Sequence, residues 1–131
     1  MCEYSRVRDT IDRISGAVIG AAIHIHQRLG GGLLESAYDE CLGHVLVRAG
    51  MEVQRQLELP IVFEGHRLKS MYRVDMLIEK LIIIEVKSVE RILPVHEMQL
   101  RTYLRLSGLE AGLLLNFCAP VMKDGVRRIN L

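Results

Sequence analysis

The sequence predicts one mixed α/β (α+β) domain over residues 1–131, with the element order ααβββαββ. Two observations favour this fold class. A chain of 131 residues, 50% of them hydrophobic, has the right size for one compact core. Apolar side chains recur every three or four positions in some segments and alternate or run together in others, so helices and strands share that core. We expect residues 1–9 to form a loose tail.

The first two elements are predicted to be helices. From about Thr10 to Leu29, apolar side chains return at steps of three and four, and the glycines at positions 30–32 end the helix. The same spacing predicts a second helix from about Leu33 to Ala49, and Gly50 ends it. Each helix has one apolar stripe, which is the face expected to pack on the core.

The remaining elements are five strands and one helix. Residues 53–59 alternate between apolar and polar positions, whereas Leu81–Ile84 are apolar throughout, which is typical of a central strand covered on both faces. Pro94 suits the first position of the third helix, and Gly108 ends it. The predicted bounds are 53–63, 67–79, 81–88, 111–117 and 126–131 for the strands and 94–107 for the helix.

Charged side chains stand at the end of the most apolar strand. Side chains alternate along a strand, so Glu85 and Lys87 point to the same face, and Asp75 lies on the preceding strand. Two carboxylates on adjacent strands can bind one Mg²⁺, and a neighbouring lysine can orient or deprotonate a metal-bound water. The same three residues would also form a partly buried ion network without metal. From this short motif alone, the two interpretations are about equally favoured.

The register of the two strands tests the metal interpretation. A strict two-residue turn at Glu79 and Lys80 would place Asp75 opposite Ile84, on the wrong face of the sheet. A three-residue loop that also includes the next residue would place Asp75 opposite Glu85. A metal site therefore requires the longer loop or a bulge between these strands.

The third predicted helix carries polar side chains on one face. His96, Gln99 and Tyr103 follow each other at steps of three and four, so they lie together and can hold a phosphate or a metal-bound water. The alternative is an ordinary amphipathic helix in which Tyr103 is half buried. Arg73 and Arg101 would belong to a rim that contacts phosphates, although scattered arginines are usually solvated surface residues.

The segment from Gly32 to Tyr38 resembles the signature of the GxxExxY protein family, which is placed in the PD-(D/E)XK nuclease superfamily. The resemblance spans nearly the whole chain from Ile11 onward, in consistent order, and is therefore far more specific than a single motif. It continues through residues 72–75, 85–87, 93–104 and 113–117.

This resemblance implies a restriction-endonuclease-like mixed sheet flanked by helices, and a nuclease that depends on Mg²⁺ or Mn²⁺. Lys87 would be the catalytic lysine, and Gln99 and Tyr103 would support the site from the third helix. The implied catalytic acidic residues and metal ligands are Asp75, Glu85, Glu35 and the backbone carbonyl of Val86.

Two classes of function are compatible with these residues. The first is a metal-dependent nuclease that acts on DNA, or less readily on RNA. The second is a catalytically silent module of the same fold that binds nucleic acid or protein. A net charge of +1 does not by itself indicate that the protein binds a polyanion such as nucleic acid, although a local basic patch would be enough to attract one. Only 5% of the residues are aromatic, which argues against sequence-specific binding of single strands by stacking.

The cysteines, the N-terminal residues and the size of the domain indicate where the protein is located and how it assembles. The three cysteines are scattered and form no C-x-x-C pair, which is typical of free thiols in the cytoplasm. The N-terminal residues have no apolar stretch like that of a signal peptide, and no apolar run is long enough to span a membrane. A domain of this size contacts only a short stretch of duplex, so we expect a homodimer, since two-fold pairs are the commonest oligomers.

Overall fold

The computed structural model describes residues 2–131, in which three α-helices accompany one five-stranded sheet. The order of elements is ααβββαββ, as predicted, and the mixed α+β fold class is confirmed. A short 3-10 turn over Met122–Gly125 precedes the last strand. The elements are α1 Glu3–Leu29, α2 Glu35–Arg48, β1 Val53–Phe63, β2 His66–Ile78, β3 Ile82–Lys87, α3 Pro94–Ser107, β4 Ala111–Asn116 and β5 Val126–Asn130.

The first helix starts earlier than predicted. It begins at Glu3, so the expectation of a loose tail up to residue 9 is wrong for residues 3–9. Val7 precedes the buried Ile11 by four positions and continues the apolar stripe toward the N-terminus. Glu3 places a negative charge in the first turn, where it interacts favourably with the helix dipole. The guanidinium carbon of Arg8 also lies 5.8 Å from the ring centre of Tyr4.

The sheet has β3 at its centre. The strands follow each other in the order β1-β2-β3-β4-β5, and every neighbouring pair is antiparallel except β3 and β4. That parallel pair is connected through α3, as parallel strands need a long crossover. Ile82, Ile83 and Ile84 are almost fully buried, so the prediction of a central strand covered on both faces is confirmed.

Helices cover both faces of the sheet. Val18 of α1 and Leu42 of α2 belong to one apolar cluster with Ile84. Leu100 of α3 belongs to a second cluster with Ile83. Because side chains alternate along a strand, the odd-numbered residues of β3 face α3. Glu85 and Lys87 therefore leave β3 on the α3 side of the sheet.

The loop between β2 and β3 sets the register at the site. It comprises the three residues 79–81, and both Glu79 and Lys80 adopt positive φ, at 53° and 57°. Met76 pairs with Ile84, so the next position on each strand places Asp75 opposite Glu85. The register that the metal interpretation required is thus confirmed.

Among residues 2–131, no helix is long and apolar enough to cross a membrane.

Candidate metal centre

Asp75 and Glu85 lie where the pairing of β2 with β3 ends, and their carboxylates replace the missing backbone hydrogen bonds. Oδ2 of Asp75 accepts the backbone N–H of Val86 at 2.7 Å. Oε1 of Glu85 accepts the backbone N–H of Asp75 at 3.2 Å. Each carboxylate is therefore oriented by the neighbouring strand, and the two groups are held side by side.

The surroundings of this pair disfavour two negative charges. Burial raises the pKa of Glu85 to about 8, and the charge of Asp75 adds to the increase, while Lys87 opposes it. Burial also raises the pKa of Asp75, although the N–H of Val86 opposes this. Glu85 therefore holds a proton at neutral pH as long as no cation lies beside it. A divalent cation would supply the missing positive charge, so this oxygen-only pair of donors fits Mg²⁺ or Mn²⁺.

Backbone groups of β3 also lie beside the carboxylate pair. The N–H of Val86 points toward Asp75, and the carbonyl of Lys87 accepts the N–H of Phe117 at 2.9 Å on the β4 side. Backbone groups of successive residues point to opposite edges of a strand, so the carbonyl of Val86 lies on the Asp75 side. Lys87 is half-buried at the end of β3, and its charge lowers the pKa of both Asp75 and Glu85.

Glu35 approaches the same region from the first turn of α2. Its Oε1 accepts the backbone N–H of Ser88, just after β3, at 3.2 Å. Ser88 Oγ in turn donates to the carbonyl of Leu33 at 3.0 Å, which fastens the start of α2 to the end of β3. Glu35 and Asp75 line one cavity of about 340 Å³. Within the part of the chain that the structure describes, no three His, Cys, Asp or Glu side chains converge on one cation position.

Tyr38 explains why the loop before α2 adopts its shape. Its ring is fully buried and stacks on Phe117 with ring centres 4.4 Å apart. Its hydroxyl donates to the carbonyl of Gly30 at 2.6 Å and accepts the N–H of Leu33 at 3.1 Å. No role was predicted for Tyr38 itself. The available signal was that Tyr38 follows Glu35 by three residues, so both lie on the same side of the helix.

The residues predicted on α3 divide into two groups. Gln99 and Tyr103 line a cavity of about 170 Å³ together with Tyr72 of β2. Burial and then the charge of Glu85 raise the pKa of Tyr103. His96 is used differently, because its Nδ1 accepts the backbone N–H of Leu93 at 2.9 Å and caps the start of α3.

The two arginines of the predicted rim have their contacts elsewhere. Arg73 lies exposed on β2, with its Nη2 3.5 Å from Oε1 of Glu58 on β1. Arg101 is exposed on α3, and its Nη1 donates to the carbonyl of Asn130 on β5 at 3.4 Å. Neither acceptor is Asp75 or Glu85.

Asp39 and Arg55 form a pair beside the site that was not predicted from the sequence. Asp39 of α2 is only 4% exposed, and its Oδ2 accepts Nε of Arg55 at 3.2 Å as well as the Nη2 group. Both residues line the cavity that contains Glu35 and Asp75. The available signal was that Asp39 follows Glu35 by four residues and so shares its helix face.

Comparisons with known proteins are consistent with this fold. The profile of the PD-(D/E)XK nuclease superfamily matches residues 12–129. The crystal structure of SSO0001 superposes with a TM-score of 0.50 and 23% sequence identity, over 86% of this chain and 63% of that chain. The chain thus spans less than two thirds of that structure, and at this identity the likeness shows the fold alone. A search of curated proteins found no match. Since the superfamily profile covers nearly the entire sequence, the chain belongs to the PD-(D/E)XK nuclease superfamily.

Proposed function

We propose that this protein is a Mg²⁺- or Mn²⁺-dependent nuclease that hydrolyses phosphodiester bonds of DNA. Divalent metals are general in its superfamily. The observation that carries the proposal is the pair of the half-buried Asp75 and the buried Glu85, whose carboxylates stand side by side where β2 and β3 separate. Two adjacent carboxylates that are partly or fully buried destabilise a fold unless protons or a cation compensate them, and a phosphodiester site uses such a cation.

Each residue has a defined task in the proposed reaction. Asp75, Glu85, Glu35 and the carbonyl of Val86 would hold the metal, which when bound supplies positive charge to the phosphate and acidifies water. Lys87 would orient the attacking water through its ammonium group or, after releasing its own proton to solvent, take up the proton of that water. Solvent would supply the proton that the leaving oxygen gains. Gln99 and Tyr103 would position the substrate from α3. A water oxygen bonds to phosphorus, the bond from phosphorus to the leaving oxygen breaks, and that oxygen acquires a proton.

A panel of substrates tests the proposal. The full chain and Asp75→Asn are incubated with plasmid, short duplex, single-stranded and branched DNA, and with matched RNA, in Mg²⁺ and in Mn²⁺. We expect wild-type cleavage of at least one DNA and loss of that cleavage in Asp75→Asn and in EDTA. Equal cleavage by wild type and Asp75→Asn would show that the activity does not belong to this site.

One observation favours a second candidate function, a catalytically silent module that binds nucleic acid or protein. No third acidic side chain converges on the Asp75–Glu85 pair in the described part of the chain, since Glu35 contacts the N–H of Ser88 instead. The same panel separates the candidates. Metal-independent DNA binding without cleavage of any substrate would favour the silent module over the nuclease.

We also propose a cytoplasmic location and a homodimer. Cys2, Cys41 and Cys118 are free thiols, which suits a reducing compartment.

A further inference from the structure

The cavity beside Asp75 contains one basic side chain among its described lining residues, and that side chain is Arg55. The cavity lies between the start of α2 and the β1–β2 pair, and it measures about 340 Å³. Its other charged lining residues are carboxylates, so without Arg55 the cavity would repel any polyanion. The lining residues are Glu35, Ser36, Asp39, Arg55, Gln56 and Asp75.

Asp39 holds Arg55 from one side. Oδ2 of Asp39 accepts Nε of Arg55 at 3.2 Å together with the Nη2 group, and it is also 3.4 Å from Nε2 of Gln56. Oδ1 of Asp39 is buried and has no hydrogen-bond partner among the described residues. All the contacts of this carboxylate thus fall on the oxygen that faces Arg55, which fixes the plane of the guanidinium.

Gly43 holds the aliphatic part of Arg55. It follows Asp39 by four residues, so both lie on the same face of α2. A Cβ atom at position 43 would be 2.9 Å from Cδ and 3.3 Å from Nε of Arg55, which is closer than ordinary contact allows. The side chain of Arg55 therefore rests on the helix backbone where only glycine leaves space, with its charged end on Asp39.

This arrangement leaves part of the guanidinium free. The side chain of Arg55 remains 41% exposed, and the described residues provide no acceptor for its Nη1 group. A guanidinium carries five N–H donors in a planar fork, which matches the oxygens of a phosphate. The Asp39 side chain of this pair is only 6% exposed, so the pair itself joins α2 to β1, while the exposed edge of the guanidinium takes no part in that contact.

We infer that Arg55 binds a backbone phosphate of the nucleic acid beside the metal centre and that Asp39 and Gly43 preorganise it for this contact. The inference rests on the proposed function insofar as it assumes a nucleic-acid substrate. Arg55 would supply the positive charge that allows a polyanion to enter a cavity whose other charged lining residues are Glu35, Asp39 and Asp75. Asp39 acts here as a positioning residue, since it restrains Arg55 rather than the substrate.

The test compares Arg55→Met with the matched control Arg128→Met. Arg128 is also a strand arginine paired with a helix aspartate, with its Nη2 2.8 Å from Oδ1 of Asp12, and its side chain is 44% exposed. The partners differ, since Asp12 is 66% exposed and Asp39 only 6%. Affinity for a short duplex DNA is measured by fluorescence anisotropy over a salt series, with Ca²⁺ in place of Mg²⁺ to limit cleavage. Thermal unfolding and Mg²⁺ calorimetry are recorded for every variant.

We expect Arg55→Met to weaken DNA binding about tenfold and to reduce the slope of log affinity against log salt by about 1, the value for one lost phosphate contact. Mg²⁺ affinity should stay unchanged, and Arg128→Met should bind like wild type. Arg55→Lys should restore the salt slope but only part of the affinity, because lysine cannot form the bidentate contact. If Arg55→Met does not fold, Gly43→Ala serves instead, since it displaces the stem of Arg55 without changing any charge.

Outcomes for Arg55 and for the nuclease are distinguishable. If wild type cuts no DNA while Arg55→Met still lowers affinity and salt slope, the phosphate contact stands and the nuclease proposal fails. If wild type cuts DNA and Arg55→Met binds and cuts as Arg128→Met does, Arg55 is only an ion-pair partner and the inference is overturned. Absence of DNA binding by wild type overturns both.

Discussion

Glu85 shows most directly how single residues create the site. Its carboxylate is buried at the end of a central strand, 6% exposed, and it has Asp75 beside it. Such an environment favours the protonated acid, so the pKa rises to about 8. In the proposed site the residue would carry a proton without metal and act as a ligand with metal, so metal binding and pH dependence would be two aspects of one charge balance.

The first prediction concerns the pH dependence of stability without metal. The folded state holds the Glu85 proton up to a pKa of about 8, whereas the unfolded chain releases it near the ordinary glutamate pKa of 4.5. The folded state thus binds more protons between these values, and the free energy of unfolding should fall as pH rises through this window. Urea unfolding in EDTA at several pH values measures it. Glu85→Gln should flatten this decrease, and an unchanged profile in that variant would assign the effect to another group.

The second prediction concerns metal binding by Asp75. A ligand that binds only the folded state raises its stability, by about 2.7 kcal/mol at a concentration one hundred times the dissociation constant. Mg²⁺ or Mn²⁺ should therefore raise the melting temperature of wild type, and Asp75→Ala should abolish the increase. Glu58→Ala, an exposed carboxylate on β1, is the control and should respond like wild type. An Asp75→Ala variant that still responds to metal would place the cation elsewhere.

The third prediction separates Lys87 from the ligands. Lysine does not coordinate Mg²⁺, so Lys87→Ala should keep its fold and its metal affinity, and it should lose little DNA affinity. Cleavage should fall by roughly two orders of magnitude or more, as expected when a positioned acid–base group is lost. Single-turnover rates on the preferred DNA substrate measure this effect. Equal rates in Lys87→Ala and wild type would leave the nuclease in place but remove this lysine from its chemistry.

At the scale of elements, the sequence predicted those features that depend on local signals. Pro94 and Gly108 marked the bounds of α3. The register of β2 with β3 stayed open in the sequence, because a two-residue and a three-residue turn were both possible, and the structure contains the three-residue loop that places Asp75 opposite Glu85. The start of α1 was not predictable in this way, because no side chain caps it at Cys2. The contact of Arg55 with α2 joins separate elements and depends on how they pack, so no local pattern contains it.

The connection from α1 to α2 illustrates how one element positions a site residue. Gly32 adopts a φ of 100°, a conformation that disfavours other residues, and the chain then turns into α2 at Glu35. Tyr38, one turn later, closes this loop through Gly30 and Leu33. The position of Glu35 therefore depends on a tyrosine hydroxyl that has no contact with the carboxylate pair.

The fourth prediction follows from that dependence. Tyr38→Phe keeps the stacking on Phe117 but removes both hydrogen bonds of the hydroxyl, which should lower the free energy of unfolding by about 1–3 kcal/mol. Tyr4→Phe, at an exposed position of α1, is the control and should change stability by less than about 0.5 kcal/mol. Urea unfolding measures both. A Tyr38→Phe variant as stable as Tyr4→Phe would show that the loop holds its shape without the hydroxyl.

At the scale of the whole molecule, β1 and β2 are much longer than the part of β2 that pairs with the rest of the sheet. Only residues 76–78 of β2 pair with β3, so most of β1 and β2 extends from the sheet as a two-stranded ribbon. This ribbon exposes apolar side chains near its tip, since Phe63 is 65% and Val62 is 58% exposed. The net charge of +1 gives the molecule no strong overall field, so the proposed binding of a polyanion would depend on local groups such as Arg55 and Lys87.

The last prediction joins the ribbon to assembly. Exposed apolar side chains at the tip of a protruding ribbon favour burial against a second copy, and two-fold pairs are the commonest way to achieve it. Light scattering at micromolar concentration should give twice the chain mass of 14.9 kDa. Phe63→Asp should shift the mass toward the monomer, while Val121→Asp, at an exposed position outside the ribbon, should not. A wild-type mass of one chain would exclude this dimer.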